Sequence, residues 1–105
     1  MSSATAAGLP SRGEIWLIDL EFQTRAALVV STDEFNHGPA ELLLALPVSS
    51  SSKGIPSHVP IDEESFVMCE QLLCLSRARL RRRVGRVPKS ALTSVSRYLR
   101  VLLEL

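Results

Sequence analysis

Only the last stretch of this sequence spaces its apolar residues as a helix does. Leu92, Val95, Tyr98, Leu99, Leu102 and Leu103 fall on an arc of about 140° at about 100° per residue, one buried helix face. Pro88-Lys89-Ser90 introduces it, with Ser90 the expected N-cap and Arg97 and Arg100 on the outer side. Upstream, the chain is cut into short apolar runs closed by turn-formers: Ile15 to Leu20, Arg25 to Ser31, Glu41 to Val48, His58 to Ile61, Phe66 to Leu75 and Val84 to Val87. Many short strands and one terminal helix make an all-β or α+β small barrel.

At 105 residues the chain is long enough for one domain that needs no metal or disulfide to hold its core. No apolar run approaches the roughly 20 residues that cross a bilayer. Residues 1–11 are small and polar, without a basic start or an apolar block, and are expected to form a disordered tail ahead of a single domain over residues 12–105. Cys69 and Cys74 lie five apart in what reads as one strand, on opposite faces. That placement forbids their pairing and matches no metal-ligand spacing. They read as reduced core thiols of a cytoplasmic protein, and no cofactor or metal is expected.

The net charge of +1 hides a dipole. Residues 1–70 carry three cations against ten anions, and residues 71–105 carry nine cations against one. Arg77, Arg79, Arg81, Arg82, Arg83 and Arg86 fall within ten residues, all of them the cation best shaped for phosphate. The cluster suits a nucleic-acid surface, an acidic protein partner, or a solvated turn between strands.

Arg25 stands at the mouth of the second run. There Arg25, Ala27 and Val29 share one face and Ala26, Leu28 and Val30 the other. It reads either as a solvated edge arginine or as the start of a site. Thr32 or Asp33 would cap a helical turn through Asn36, and His37 belongs to the loop that ends it. Pro47 marks an edge or a bulge near the end of the third run. Ser49 to Ser52, with Lys53 and Gly54, form a loop whose hydroxyls can meet phosphate oxygens or water. Glu70 and Gln71 interrupt the Phe66–Leu75 run. A buried polar pair needs partners, and Arg25 is the candidate for Glu70.

Arg12-Gly13-Glu14-Ile15-Trp16 with Asp19-Leu20, then Arg25-Ala26-Ala27-Leu28-Val29-Val30-Ser31, resemble the opening and second strand of the MazF/PemK toxins of bacterial toxin–antitoxin pairs. Asp33-Glu34-Phe35-Asn36, Leu46-Pro47-Val48-Ser49-Ser50, Ser52-Lys53-Gly54-Ile55-Pro56, Cys69-Glu70-Gln71, Arg79-Leu80 and Val84-Gly85-Arg86-Val87 follow in the family's order, so the resemblance spans residues 12–105. It implies an SH3-like barrel with a C-terminal helix, a homodimer, a cognate antitoxin, and metal-independent cleavage of single-stranded RNA. In that reaction the ribose 2′-hydroxyl attacks the adjacent phosphate. By this likeness Arg25 is the principal catalytic residue, Ser49 a hydroxyl donor to the phosphate, and Glu70 a group that orients Arg25 or accepts a proton. Ser50, Lys53, Gln71, Arg79, Arg83 and Arg86 become the RNA-binding set.

The sequence departs from that pattern in places. The Asp19–Arg25 link is shorter than in typical members, Ala26 replaces a proline, Glu70 stands for an aspartate, and Met68 and Leu73 lack arginines found in relatives. The alternatives on the same barrel are a non-catalytic binding toxin like the gyrase poison CcdB and an inactive homologue that sequesters antitoxin. The terminal Trp-Gly-Ile pattern of CcdB is absent from Leu102-Leu103-Glu104-Leu105.

Overall fold

Residues 8–52 and 54–105 are described by a computed structural model. β1 (Glu14–Asp19) and β2 (Thr24–Val29) form an antiparallel hairpin, with Ile15 opposite Leu28 and Asp19 opposite Thr24. The period-2 alternation divides their side chains between two cores. Trp16, Ile18, Ala27 and Val29 enter one with Leu43, Ala45 and Leu75. Leu28 enters the other, against which Ile15 packs.

Gly13 is required where the chain enters β1. Its φ is +94°, and an added Cβ would lie 3.3 Å from Leu92 Cδ2. Its N–H donates to Val29 O and its carbonyl accepts from Val87 N, both at 2.9 Å, which pins the hairpin to the segment leading into the C-terminal helix. Residues 1–7 of the expected tail lie outside the described residues. Pro10 is buried, and its carbonyl accepts from His37 Nε2 at 2.7 Å.

The helical turn α1 (Asp33–Asn36) is capped by Thr32, whose Oγ1 accepts from Phe35 N at 3.3 Å. Buried Asn36 donates to Ser31 O, and its own carbonyl accepts from Arg77 Nη1, each at 3.0 Å. The eight-residue β3 (Leu42–Ser49) is the spine of the fold. On one edge it pairs with β2, Ala27 opposite Pro47. On the other it passes from β6 (Leu73–Ser76), last pair Ala45–Leu73, to β5 (Phe66–Met68), first pair Val48–Val67. Pro47, which has no N–H to donate, falls in the gap between those partners. β4 (His58–Pro60) pairs with β5, and β7 (Leu80–Arg86) pairs with β1. The path is β4-β5-β3-β2-β1-β7 with β6 on β3, every pairing antiparallel.

The helix α2 (Lys89–Leu103) sets Ala91 and Val95 into the cluster of Leu28, Leu46, Val59 and Val67. Full burial of a valine is worth about 1.5–3 kcal/mol, enough to fix the helix on the sheet. The architecture is the mostly antiparallel small barrel with a C-terminal helix expected from the sequence.

Four local expectations are corrected. The run Phe66–Leu75 is not one strand: it breaks at Glu70-Gln71, where Gln71 N donates to Met68 O at 3.1 Å and closes a turn. Cys69 and Cys74 therefore sit on separate segments, the first buried and the second exposed. Of the readings of the arginine cluster, the turn holds only for its first residues. A 3-10 turn (Arg77–Arg79) leads directly into β7, an edge strand whose side chains from Arg81 to Arg86 are exposed. Finally, Pro88 and not Ser90 is the N-cap of α2, with no side-chain capping bond. Its fixed φ ends the extended segment and starts the helix at Lys89.

Candidate functional site

β2 brings Arg25 to one end of the barrel, half-buried, opposite Ile18 of β1. Extending the β2–β3 register by two residues sets Arg25 across from Ser49. The guanidinium reaches that way: Arg25 Nη2 donates to Val48 O at 3.3 Å, beside Ser49. Past this point β3 serves β5, Ser49 lying opposite Phe66, so the end of the strand is shared between two sheets. Ser49 Oγ donates to Ser51 O and accepts from Ser51 N, both at 3.1 Å, which folds the loop back on itself. Ser50 is exposed beside it. Lys53 lies outside the described residues.

Glu70 is brought to this loop by a route the sequence did not suggest. The expected partner, Arg25, is not the one it has. His58 Nε2 lies 3.0 Å from Glu70 Oε2, and His58 Nδ1 lies 3.4 Å from Ser52 Oγ. The reason is hairpin register: His58 faces Met68 across β4–β5, and the chain turns just beyond. Partial burial raises the Glu70 carboxyl pKa. Hydrogen bonds from Ser57, its own backbone and His58 outweigh that and hold it below the usual range. The neighbouring Cys69 thiol is pushed up to about 11 by burial and by Glu70, so it stays neutral.

The remaining residues of the expected RNA-binding set divide by position. Gln71 is exposed on the turn, its Nε2 donating to Met68 Sδ at 3.6 Å. Arg79 Nη1 donates to Asp19 O at 3.4 Å, next to the hairpin turn that leads to Arg25. Arg81 Nε lies 3.7 Å from Asp19 Oδ1 at the same end. Arg83 and Arg86 sit at the other end of β1, where Nη1 and Nη2 lie 2.8 and 3.3 Å from Glu14 Oε2. The structure thus brings together Arg25, Ser49, Ser50 and, through His58, Glu70. It does not bring Arg83 and Arg86 to them. Among the described residues no three His, Cys, Asp or Glu side chains gather as a metal site requires, and no helix is long and apolar enough to cross a membrane.

His58 is the residue that reading the sequence missed. Nothing marked it except a single histidine in a short apolar run, because its partners come from 6 and 12 residues away through the hairpin.

A bent antiparallel sheet whose central strand serves two partners, closed by a C-terminal helix, is the fold of the MazF toxins. The MazE–MazF structure from Deinococcus radiodurans matches with a TM-score of 0.84 and 26% identity, over 93% of this chain and 98% of that one. An endoribonuclease in complex with its cognate antitoxin from a mycobacterial species matches at 0.84 and 21%, over 91% and 96%. The Mycobacterium tuberculosis toxin MazF-mt6 matches at 0.76 and 17%, over 88% and 97%. The last two speak to the fold alone. Curated protein sequences give no match. The family model for the PemK-like, MazF-like toxin of type II toxin–antitoxin systems matches residues 11–103, and the chain belongs to that family.

Proposed function

We propose that this chain is the toxin of a type II toxin–antitoxin pair and acts as a metal-independent endoribonuclease on single-stranded RNA, restrained by a cognate antitoxin and working as a homodimer. The observation that carries the reading is the contact of Arg25 Nη2 with Val48 O, which holds a guanidinium beside the Ser49 hydroxyl. The Ser49 hydroxyl, which bonds Ser51 O in this structure, would turn from it to a bound phosphate.

Cleavage by transesterification needs little else. The 2′-oxygen bonds to phosphorus as its proton leaves, the bond to the 5′-oxygen breaks, and that oxygen takes up a proton. The products are a 2′,3′-cyclic phosphate and a 5′-hydroxyl. Negative charge builds on the equatorial oxygens of the phosphorane, where fixed donors contribute most. Arg25 supplies paired N–H groups and a permanent charge there, and cannot act as the base because it stays protonated. Ser49 supplies a neutral donor. Glu70 has no bond to Arg25, so of its two expected roles the proton acceptor is the one retained. Its hydrogen bonds keep it ionised for that purpose.

Ser50, Lys53, Gln71 and Arg79 would meet neighbouring phosphates and bases, while Arg83 and Arg86 serve a more distant part of the strand. The antitoxins found with related MazF proteins provide the template for the partner, and the basic C-terminal third of this chain suits an acidic segment. The test is to incubate the protein with a long RNA in EDTA beside Arg25→Ala and to map the ends. Discrete cuts by the wild type alone, ending in cyclic phosphate, support the reading. No cuts from folded protein on diverse RNAs refute it.

A further inference from the structure

Outside Arg25 and Ser49, the buried group with the most unexplained bonding is His58. Its side chain is 4% exposed, and both ring nitrogens face polar atoms on segments that belong to no strand. Nε2 meets Glu70, 34% exposed on the turn after β5. Nδ1 meets Ser52, on the loop after β3. The other histidine, His37, bonds the Pro10 carbonyl.

We propose that His58 is a positioning residue for this site: its ring clamps the Glu70 turn to the serine loop and so fixes both against the rigid β4–β5 hairpin. The hairpin end of the clamp is firmly held. His58 N donates to Ile55 O at 3.0 Å, Cys69 N donates to Ser57 O at 2.9 Å, and His58 faces Met68 in the ladder. The two clamped segments have no ladder of their own. Ser52 Oγ also accepts from Gly54 N at 3.0 Å, and Ser49 Oγ is bonded to the backbone N–H and C=O of Ser51, the residue next to Ser52. Through the Ser51–Ser52 peptide, the position of Ser52 bears on the bonds that Ser49 makes. Nε2 can donate to the Glu70 carboxylate, and Nδ1 faces the Ser52 hydroxyl.

Burying an imidazole costs more than burying a leucine of similar size, unless its hydrogen bonds offset the difference. A ring placed where apolar packing would serve the core equally well makes sense if the bonds orient something, as outer groups around a site do. The role rests on the nuclease reading above, and the experiment separates the two.

His58→Leu fills the space without bonds, and His58→Gln restores a donor to Glu70 alone. Backbone relaxation is measured by NMR for Ser50 to Ser52 and for Glu70 and Gln71, with RNA cleavage measured alongside. In folded His58→Leu both segments lose order together, and kcat falls on the order of 10- to 100-fold with KM within about threefold. In His58→Gln the Glu70 turn regains order, and kcat returns to within about fivefold of the wild type. A folded His58→Leu whose two segments keep wild-type order, or whose kcat is unchanged, overturns the proposal. So does a His58→Gln protein that regains neither order nor rate. Wild-type protein that cuts nothing refutes the nuclease reading instead, and the relaxation data then decide the clamp by themselves.

Discussion

Replacing Glu14 by glutamine tests the account of how the edge strand is held. The Glu14 side chain is 3% exposed, and all of its bonds are accounted for. Oε1 accepts from Ser11 N at 2.8 Å and Trp16 Nε1 at 3.0 Å, while Oε2 meets Arg83 Nη1 at 2.8 Å and Arg86 Nη2 at 3.3 Å. A glutamine can keep the first oxygen in place. It replaces the second with an NH₂ group that faces two guanidiniums and can accept from neither. A hydrogen bond to a charged group contributes about 1.5–3 kcal/mol. The two arginines are 61% and 60% exposed, so water recovers their donors and the second ion pair adds little. The expected loss is about 2 kcal/mol, or a fall in Tm on the order of 10 °C. Alanine also strands the buried Trp16 N–H and costs about 3–5 kcal/mol.

The pH dependence gives a second, independent check. Burial raises the Glu14 pKa, but bonds from Trp16, Arg83 and Ser11 and the Arg83 charge outweigh it and hold the folded carboxyl below its usual range. A group whose folded pKa is depressed stabilises the fold above its unfolded pKa, and that contribution fades as pH falls through the folded pKa. In urea titrations the gap between wild type and Glu14→Gln should be full at neutral pH. It should shrink once pH drops below about 4.3, the unfolded glutamate value. A gap under about 0.5 kcal/mol at pH 7, or one that stays constant down the acid range, would refute the reasoning.

Arg25→Lys keeps the charge but loses the planar fork, so RNA cleavage should fall on the order of 10²-fold or more; full activity in the lysine variant would remove the argument for bidentate contact. Ser49→Thr keeps the hydroxyl and should stay within about fivefold of wild type, whereas Ser49→Ala should lose about 10- to 100-fold in kcat, and equal rates for the two would dismiss the donor role. Gly13→Ala places a Cβ at φ +94° and 3.3 Å from Leu92, and should cost about 1–3 kcal/mol in chemical denaturation, while an unchanged midpoint would mean that the β1 entry relaxes freely.

The parts of the fold legible in the sequence are those where local pattern and tertiary demand agree. β1 and β2 alternate because each divides its side chains between two cores, and Thr32 caps α1 by a bond spanning three residues. The break at Glu70-Gln71 was hidden because the turn contains neither glycine nor proline, and apolar residues flank it on both sides. The start of β7 was hidden for the opposite reason, its end alone being legible in the Val84–Val87 run. An edge strand need not bury its side chains, and charged residues there discourage pairing with other chains, so a run of arginines can be a strand without any apolar signal. Ser90 looked like a cap by residue type, yet the backbone had already turned at Pro88. Arg25 and Ser49 were found through family likeness. The Glu70–His58–Ser52 link depends on a hairpin register that no local pattern encodes.

The candidate site lies where one strand changes its allegiance, and the sequence contains the cause. β3 leaves β6 after Ala45 and joins β5 at Val48, and the residues between are Leu46, which is wholly buried, and Pro47, which has no donor to strand. A leucine anchors the bend to the core while a proline makes the gap in pairing harmless. Past the bend, the backbone ladder on the β2 side ends at the Ala27–Pro47 pair, and the next carbonyl, Val48 O, is met by the side chain of Arg25. The guanidinium is thereby tethered through one nitrogen. Arg25 and Ser49 become neighbours because, where the β2–β3 ladder ends, the Arg25 side chain takes up the carbonyl of Val48, the residue before Ser49. Filling the gap with a residue that restored regular pairing would be expected to move Ser49 and loosen Arg25 together, which is why Pro47 belongs to the chemistry of this end as much as to the fold.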